Sequence, residues 1–171
     1  MNQFYEKMKD VYTVEHLNQI EFIESQLVFD SFDNNDALTL GTLLTKLASE
    51  EFGDIAIIIT RESDGLITFQ HVMNSKSQKN LDYACMKRKA VIATGHNSLW
   101  VLIKGLVDEP SLLENTEYIP VGGAFPIYVG EELVATVAIS GLKDGKDYIL
   151  LEKGIASYLG KEIDSFKGYL I

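Results

Sequence analysis

The chain has 171 residues, 46% of them hydrophobic, and a formal net charge of −10. That length predicts one domain with a single core, over residues 1–171, and no apolar run approaches the roughly 20 residues that cross a bilayer. The acidic balance argues against binding to nucleic acid or to an anionic membrane, because clustered Lys and Arg are what hold phosphate groups.

The first 27 residues predict an amphipathic helix and no targeting segment. Apolar residues recur every three or four positions between about residues 3 and 27, which is the period of a helix with one buried face. No basic stretch precedes an apolar one, as a secretory signal peptide would require. The single cysteine, Cys85, has no partner for an internal disulfide, so we expect a cytoplasmic protein.

Residues 30–72 predict a second helix followed by a β-hairpin. Asp33 is suited to the N-cap of this helix, and Gly53 is suited to its end. The run 55–61 is β-branched and apolar on both faces, as expected of a central strand. Asp64-Gly65 is a hairpin turn signal. Alternation along the returning strand places on one face Ile67, Phe69 and His71.

The remaining segments predict a helix, a second hairpin and a closing helix. Ser77 or Asn80 can cap the helix that ends at Gly95, and two strands then flank a turn at Gly130. Adjacent hairpins with helices outside them favour an α+β domain, with an antiparallel sheet of about five strands covered by helices. A short strand at residues 27–29 contributes to that count.

The stretch VGGAFPI, residues 121–127, places two glycines and a proline at a strand entrance. Gly122 and Gly123 can adopt positive φ and expose backbone N–H groups to a ligand, with Phe125 beside them. Pro126 confines the strand to an edge or a bulge, because proline donates no ladder hydrogen bond. A bulge that bends the strand explains the same residues equally well.

The partner strand has one face of small residues, which are Val134, Thr136, Ala138 and Ser140. A small, faintly polar face beside a Gly-Gly entrance leaves room for a closely packed helix or for a ligand. The helix is the commoner of the two.

A basic cluster between Lys76 and Lys89 contrasts with the acidic chain. It contains five Lys or Arg residues against one acid, Asp82. Asn80, Tyr83 and Lys87 lie on one helical face, where they could grip a carboxylate or phosphate. The alternatives are a solvated helix face or a contact with the acidic surface of another copy.

The histidines and the cysteine give no metal site. No pair has ligand spacing, and Cys85 lies on an apolar helix face that predicts a core position. His71 ends a strand face and could be a ligand-binding group or a proton donor. A partly buried histidine with satisfied hydrogen bonds is the alternative.

Four segments of the sequence resemble one known family. They are FDNNDALTLGTLL, NLDYACMKRKAVI, GGAFPIYV and LVATVAISGLKDGKDYILL, and they run from about Asp30 to Leu159. The most specific element is Gly-Gly-Ala-Phe-Pro-Ile, followed by a strand ending in Ser-Gly-Leu and then by Asp147. These residues resemble the haem-degrading-domain superfamily, also called HbpS/GlcG-like, and above all its short, uncharacterised cytosolic branch in bacteria and fungi. Where relatives usually carry a Pro-Gly-rich loop, this chain has MNSKSQKN.

The resemblance implies a profilin-like α+β fold and a homo-oligomer, either a dimer or a larger ring. It also implies haem binding or slow haem degradation, which is attached mainly to a secreted branch. The residues themselves give no Cys-x-x-Cys-His attachment and no clear axial ligand, so haem comes from the family name alone and we expect no cofactor.

Three functions remain open at this point. The first is a non-enzymatic, self-assembling module that binds a small anionic ligand or a protein partner. The second is a haem-binding or haem-degrading protein that uses His71, Lys87 and the backbone of Gly122 and Gly123. The third is a scaffold that binds another protein through its acidic surface and needs no pocket. The ligand-binding residues expected for the first are His71, Asn80, Tyr83, Lys87, Gly122, Gly123, Phe125 and Ser140.

Overall fold

The computed structural model describes residues 3–171. Within this range the helices and strands are α1 (Gln3–Met8), α2 (Val14–Gln26), α3 (Asn34–Leu47), β1 (Ala56–Arg61), β2 (Ile67–Val72), α4 (Gln78–Thr94), α5 (Ser98–Val107), β3 (Ala124–Val129), β4 (Glu132–Ser140) and α6 (Lys146–Leu159). A π-helical turn, Ala48–Phe52, extends α3, and a 3-10 turn, Pro110–Leu113, follows α5. The predicted α+β class is confirmed.

The sheet among the described residues has four antiparallel strands in the order β2-β1-β4-β3, so the expected count of about five is corrected to four. Both predicted hairpins are present. The fifth expected strand, near residues 27–29, forms only an isolated parallel bridge between Phe29 and Val129. The chain leaves the edge of β3 at once, because α3 begins five residues later at Asn34.

The N-terminal region contains two helices where the sequence predicted one over about residues 3–27. α1 ends at Met8, and α2 begins at Val14 behind Thr13, whose backbone is extended. The Thr13 N–H donates to Nδ1 of His16 at 3.0 Å, a capping contact that starts a new helix. Asp33 caps α3 as predicted, accepting from the Asp36 N–H at 2.9 Å.

The two faces of the sheet carry different cores. On one face, Ala56, Ile58 and Ala138 pack against Leu81 and Ala84 of α4. The other face packs into the larger core, which takes its side chains from α2, α3, α5 and α6. The small-residue face of β4 therefore receives a helix, since short side chains let α4 approach the strands closely.

α4 and α5 join at a sharp corner beside the sheet. Gly95 ends α4 in the left-handed conformation, with φ at +77°, and Asn97 caps α5 by accepting from the Trp100 N–H at 3.0 Å. Between residues 3 and 171, no single helix is long and apolar enough to cross a membrane. The α4–α5 pair meets that requirement by length and composition, but it is bent by 63°.

Candidate functional site

A pocket of about 330 Å³ opens where α4, the loop before β3 and the loop between β4 and α6 meet. We call it the Lys87 pocket. Its walls include Tyr83, Lys87, Gly122, Ser140, Gly141 and Asp147. Four of the residues predicted from the sequence, Tyr83, Lys87, Gly122 and Ser140, thus border one cavity, and its volume is at the small end of those that bind metabolites.

A buried ion pair forms the floor of the Lys87 pocket. Lys87 Nζ lies 2.7 Å from Asp147 Oδ2, and each residue is only 5% exposed. Lys87 Nζ also donates to the Ile139 carbonyl at 3.1 Å, and Asp147 Oδ1 accepts from the Leu142 N–H at 3.0 Å. Because a lysine ammonium has three donors, one N–H of Lys87 is left for another acceptor.

Gly123 lets the lysine reach this position. Its φ is +131°, and a Cβ there would lie 2.7 Å from Lys87 Nζ and 2.8 Å from the Ile139 carbonyl oxygen. Gly122 is equally crowded, since its Cβ would lie 2.8 Å from Cβ of Tyr148. The glycine pair is therefore required by close approach of other groups, not only by a turn of the strand.

Several donors around the ion pair have no acceptor among residues 3–171. They include the backbone N–H groups of Gly122, Gly141 and Gly145. The Ser140 side chain, in a residue 7% exposed, also makes no hydrogen bond there, and nor does the Tyr83 hydroxyl. Free donors that line one cavity can donate together to an acceptor placed there.

The loop between β4 and α6 is held in an unusual backbone conformation. Gly141, Asp144 and Gly145 have φ values of +138°, +56° and +67°. This loop places Gly145 as the N-cap of α6, where the positive end of the helix dipole is found, on the wall of the pocket. Successive N–H groups in such turns form anion-binding concavities.

The C-terminal residues lie against the same two glycines. A Cβ on Gly145 would overlap the backbone nitrogen of Ile171, and a Cβ on Gly122 would lie 3.6 Å from the Ile171 carbonyl oxygen. Ile171 is itself part of the pocket wall. The segment is tied further back by the Tyr12 hydroxyl, which donates to the Tyr169 carbonyl at 2.8 Å.

Three predicted residues lie away from the Lys87 pocket. Asn80 completes the cap of α4, because its Oδ1 accepts from the Ser77 N–H at 3.1 Å. Phe125 points into the larger core, with its ring centroid 5.4 Å from that of Tyr148. His71 lies on the sheet face opposite α4, beside Phe69, whose ring packs where a Cβ of Gly41 would be.

We call the cleft beside His71 the His71 groove. It has a volume of about 450 Å³ between α3 and β2, and it is walled by Phe69, Met73 and Thr45. His71 is exposed, and its ring makes no hydrogen bond with any residue of the 3–171 range. The expected alternative, a partly buried histidine with satisfied hydrogen bonds, is therefore not what the structure has.

The basic cluster of residues 76–89 does not form one patch. Lys87 is buried with Asp147, and Arg88 pairs with Glu62, with Nη2 and Oε2 2.7 Å apart. Lys76 Nζ donates to the Gly141 carbonyl at 2.9 Å. Only the two remaining members of the cluster, Lys79 and Lys89, are exposed. Half-buried Cys85 packs beside the smaller core, and burial raises the pKa of its thiol.

Sequence reasoning missed Asp147, Gly141 and Gly145 as parts of the pocket. All three fall in the segment that carried the family resemblance, SGLKDGKD, so the signal was present there. Nothing in the spacing connected Asp147 with Lys87, because the two residues are 60 positions apart and meet only when α6 packs beneath β4.

Comparisons with known proteins extend over most of the chain. A family model described as "Haem degrading protein HbpS-like" matches residues 32–156. A UPF0303 protein of Rhizobium etli strain CIAT 652 is 32% identical over 156 residues, which are 88% of this chain and 94% of the relative. A UPF0303 protein of Streptomyces coelicolor is 33% identical over 149 residues, with 84% and 93% covered.

Two solved structures are similar in fold. The Ybr137w protein superposes with a TM-score of 0.74 at 23% identity, covering 84% of this chain and 87% of its own. A complex described as PduOC:Heme has a TM-score of 0.61 at 16% identity, covering 74% and 94%. At these identities the likeness concerns the fold.

Proposed function

The chain belongs to the HbpS-like family of haem degrading proteins, and from that membership and the pocket geometry we propose that it is a self-assembling binding module for a small anionic ligand. The observation that supports this most is the set of free donors around the buried Lys87–Asp147 pair. We assign the ligand to the Lys87 pocket. We expect the protein to meet this ligand in the cytoplasm, because a chain with a single cysteine is typical of a reducing compartment.

An anion suits this pocket because several donors on its wall are free, although the exposed Asp144 carboxylate also borders it. The N–H groups of Gly122, Gly141 and Gly145 and the hydroxyl of Ser140 can each donate to a carboxylate or phosphate oxygen. Both carboxylate oxygens of Asp147 are already occupied, by Lys87 and by the Leu142 N–H. Asp147 therefore fixes the lysine, and the charge of Lys87 offsets that of the carboxylate beside the ligand.

Haem, which the family description implies, does not fit the residues present. Haem iron takes an axial His, Cys, Met or Tyr. Among the residues that line the Lys87 pocket, Tyr83 alone is of such a type, and an ion pair forms the floor. The unpaired imidazole, His71, lies instead in a groove bordered by Lys46 and Glu50. Neither the Lys87 pocket nor the His71 groove thus combines apolar enclosure with an axial ligand.

The family description nevertheless keeps haem binding as the second candidate function. The sequence grouped His71 with Lys87, Gly122 and Gly123 for this function, but His71 lies in a different pocket from Lys87 and Gly122. Haem binding would then use His71 as the axial ligand, with Phe69 and Met73 against the macrocycle. A third candidate, an acidic scaffold for another protein, rests on the net charge of −10 alone. Neither uses the free donors of the Lys87 pocket, and this difference separates them from the first.

Calorimetric titration with acetate, oxalate and inorganic phosphate tests the proposal. We expect saturable binding of at least one probe, and we expect Ser140→Ala to weaken it about tenfold, since a hydrogen bond to a charged group contributes about 1.5–3 kcal/mol. Tyr83→Phe removes the hydroxyl at the mouth and serves as a second variant. Neither hydroxyl makes a hydrogen bond within residues 3–171, so each variant should change the free energy of unfolding by less than about 0.5 kcal/mol.

Ser157→Ala is the matched control for Ser140→Ala. Ser157 is exposed on α6 outside the pocket, so its removal should leave probe affinity unchanged. Equal effects of the two serine variants, or binding that only His71→Ala abolishes, would refute the assignment.

A further inference from the structure

We propose that the sheet continues into a second copy of this chain through the outer edge of β2, about a two-fold axis. This inference rests on the self-assembly part of the proposed function and does not involve the ligand. It assigns the surface that joins two copies. The two edges of the sheet differ in their protection, and the two ends of β2 differ in their charge.

The β3 edge of the sheet is closed by three local features. The Ala124 N–H donates to Ser98 Oγ at 3.0 Å, Pro126 has no N–H, and the Tyr128 carbonyl accepts from the Phe29 N–H at 2.8 Å. Ile139 donates to the Gly123 carbonyl, so the alternating residues 124, 126 and 128 are the ones whose backbone faces outward. At each outward residue, therefore, at least one backbone group is bonded or, at Pro126, the donor is missing.

The β2 edge has no such protection. The Met73 N–H donates to Ile55 across the β1–β2 pair, so alternation turns the backbone of Gln70 and Val72 away from β1. No residue from 3 to 171 bonds these outward N–H groups. The strand ITFQHV carries no formal charge, although natural edge strands are usually blocked by charged residues or proline.

Exposed apolar side chains border the open edge. Leu66 and Ile67 are 45% and 51% exposed at the start of β2. A β-bulge between Ile59 and Thr60 of β1 shifts Ile67 out of the expected alternation, opposite Thr60. An uncharged, unpaired and partly apolar edge is a template for another strand.

The two ends of β2 carry opposite charges on exposed side chains. Asp64 lies in the turn before the strand, and its hydrogen bonds with Arg61 lower the pKa of its carboxyl to about 2, so it is ionised at neutral pH. After the strand, exposed Lys79 contacts only the Tyr83 ring among the described residues. Lys76, on the same side, bonds a carbonyl rather than a carboxylate. One end of β2 therefore presents the Asp64 carboxylate in its pair with Arg61, and the other end presents lysines.

Charge complementarity identifies the second strand as the β2 of another copy. In an antiparallel self-pair each end of β2 lies beside the opposite end of its partner, so Asp64 of one copy approaches Lys79 of the other, twice about the axis. The Asp64 carboxylate accepts three hydrogen bonds, two from Arg61 and one from the Leu66 N–H. A carboxylate has about four acceptor sites, so one is left for a lysine.

Alternation allows two registers for this self-pair. The axis passes either through Gln70, as a hydrogen-bonded pair, or through His71, as a non-hydrogen-bonded pair. Facing Cα atoms are then about 5.5 or 4.5 Å apart, and both distances are within the range that a disulfide can bridge. The interface is isologous, as a two-fold dimer requires.

Cysteine cross-linking in a Cys85→Ala background tests the proposal. We expect Gln70→Cys or His71→Cys to form a disulfide dimer in most of the chains under mild oxidation, with a mass twice the 19.1 kDa of one chain. Glu132→Cys, exposed at the other hairpin, is the matched control and should remain monomeric on a non-reducing gel.

Charge variants without added cysteines test the match between the strand ends. Lys79→Glu places an acid beside Asp64 of the second copy and should raise the dissociation constant about tenfold, measured by light scattering over a dilution series. Asp64→Lys combined with Lys79→Glu should restore assembly. Lys89→Glu is the matched control, because Lys89 is exposed on α4 but lies about 15 Å further along that helix.

Light scattering on strand variants completes the test. Gln70→Pro removes only an outward N–H and should halve the native mass, whereas Gln70→Thr should keep it. A native oligomer in which neither cysteine cross-links and Gln70→Pro keeps its mass overturns the β2 surface but leaves self-assembly intact. A native mass of 19.1 kDa overturns both.

Discussion

The Lys87 pocket and the His71 groove lie on opposite faces of one sheet, and their basic side chains differ in burial and in hydrogen bonding. Lys87 is buried against Asp147 and a carbonyl oxygen, whereas the His71 ring is exposed and makes no hydrogen bond within residues 3–171. A buried charge is stable only when it is paired and hydrogen-bonded. The Lys87 pocket is therefore a polar site held by hydrogen bonds, whereas no hydrogen bond from residues 3–171 fixes the His71 ring in its groove.

The difference predicts very different responses to mutation. Lys87→Met should lower the free energy of unfolding by about 3–5 kcal/mol, because it leaves the Asp147 carboxylate buried without its cation. His71→Ala should change it by less than about 0.5 kcal/mol. Urea unfolding monitored by circular dichroism measures both.

The double variant Lys87→Met with Asp147→Asn sharpens that prediction. The amide keeps an acceptor for the Leu142 N–H, so most of the stability lost in Lys87→Met should return. A Lys87→Met protein as stable as the wild type would mean that the ion pair is not buried in solution.

Substitution of a glycine should lower the free energy of unfolding by a smaller amount. Gly123→Ala should cost about 2 kcal/mol or more, because the residue has φ of +131° and the new Cβ would meet Lys87 Nζ and the Ile139 carbonyl. Gly65→Ala is the control, since Gly65 also has positive φ, at +72°, but nothing lies within 4 Å of its Cβ position. It should cost only about 1 kcal/mol. Equal costs would show that Gly123 serves a turn and not a close approach.

Hemin titration should give the smallest effect. We expect no saturable one-to-one shift of the Soret band, because neither the Lys87 pocket nor the His71 groove combines enclosure with an axial ligand. His71→Ala should give the same spectrum. A one-to-one shift that His71→Ala abolishes would make haem binding the better function and the groove the better site.

Local sequence patterns predicted much of the fold. The Asp33 cap, the central strand β1 and both hairpins follow from turn signals and β-branched runs, and all are present. The break after α1 was missed because Thr13, with His16 behind it, begins a helix inside an uninterrupted apolar period. The cap at Thr13 starts a new helix although the apolar period continues, so the region has two helices where one was predicted.

The candidate site was only partly predictable. Helical spacing and the Gly-Gly pair put Lys87 and Gly123 in one candidate ligand site, and in the structure a Cβ on Gly123 would lie 2.7 Å from Lys87 Nζ. Strand alternation put Phe125 on the other face of the sheet, although it is adjacent in sequence to the glycine loop. Asp147 was not derivable as the partner of Lys87, since only the packing of α6 brings the two together. The remaining parts of the site depend on tertiary contacts, which leave no local pattern in the sequence.

Amide chemical-shift mapping tests the central claim most directly. Protein labelled with ¹⁵N is titrated with phosphate and with oxalate, first as wild type and then as Ser140→Ala. We predict saturable shifts with one common Kd at the amides of Gly122, Gly141 and Gly145, and about tenfold weaker binding in the variant. Saturable shifts confined to residues 69–73, or an affinity that Ser140→Ala leaves unchanged, would contradict the assignment.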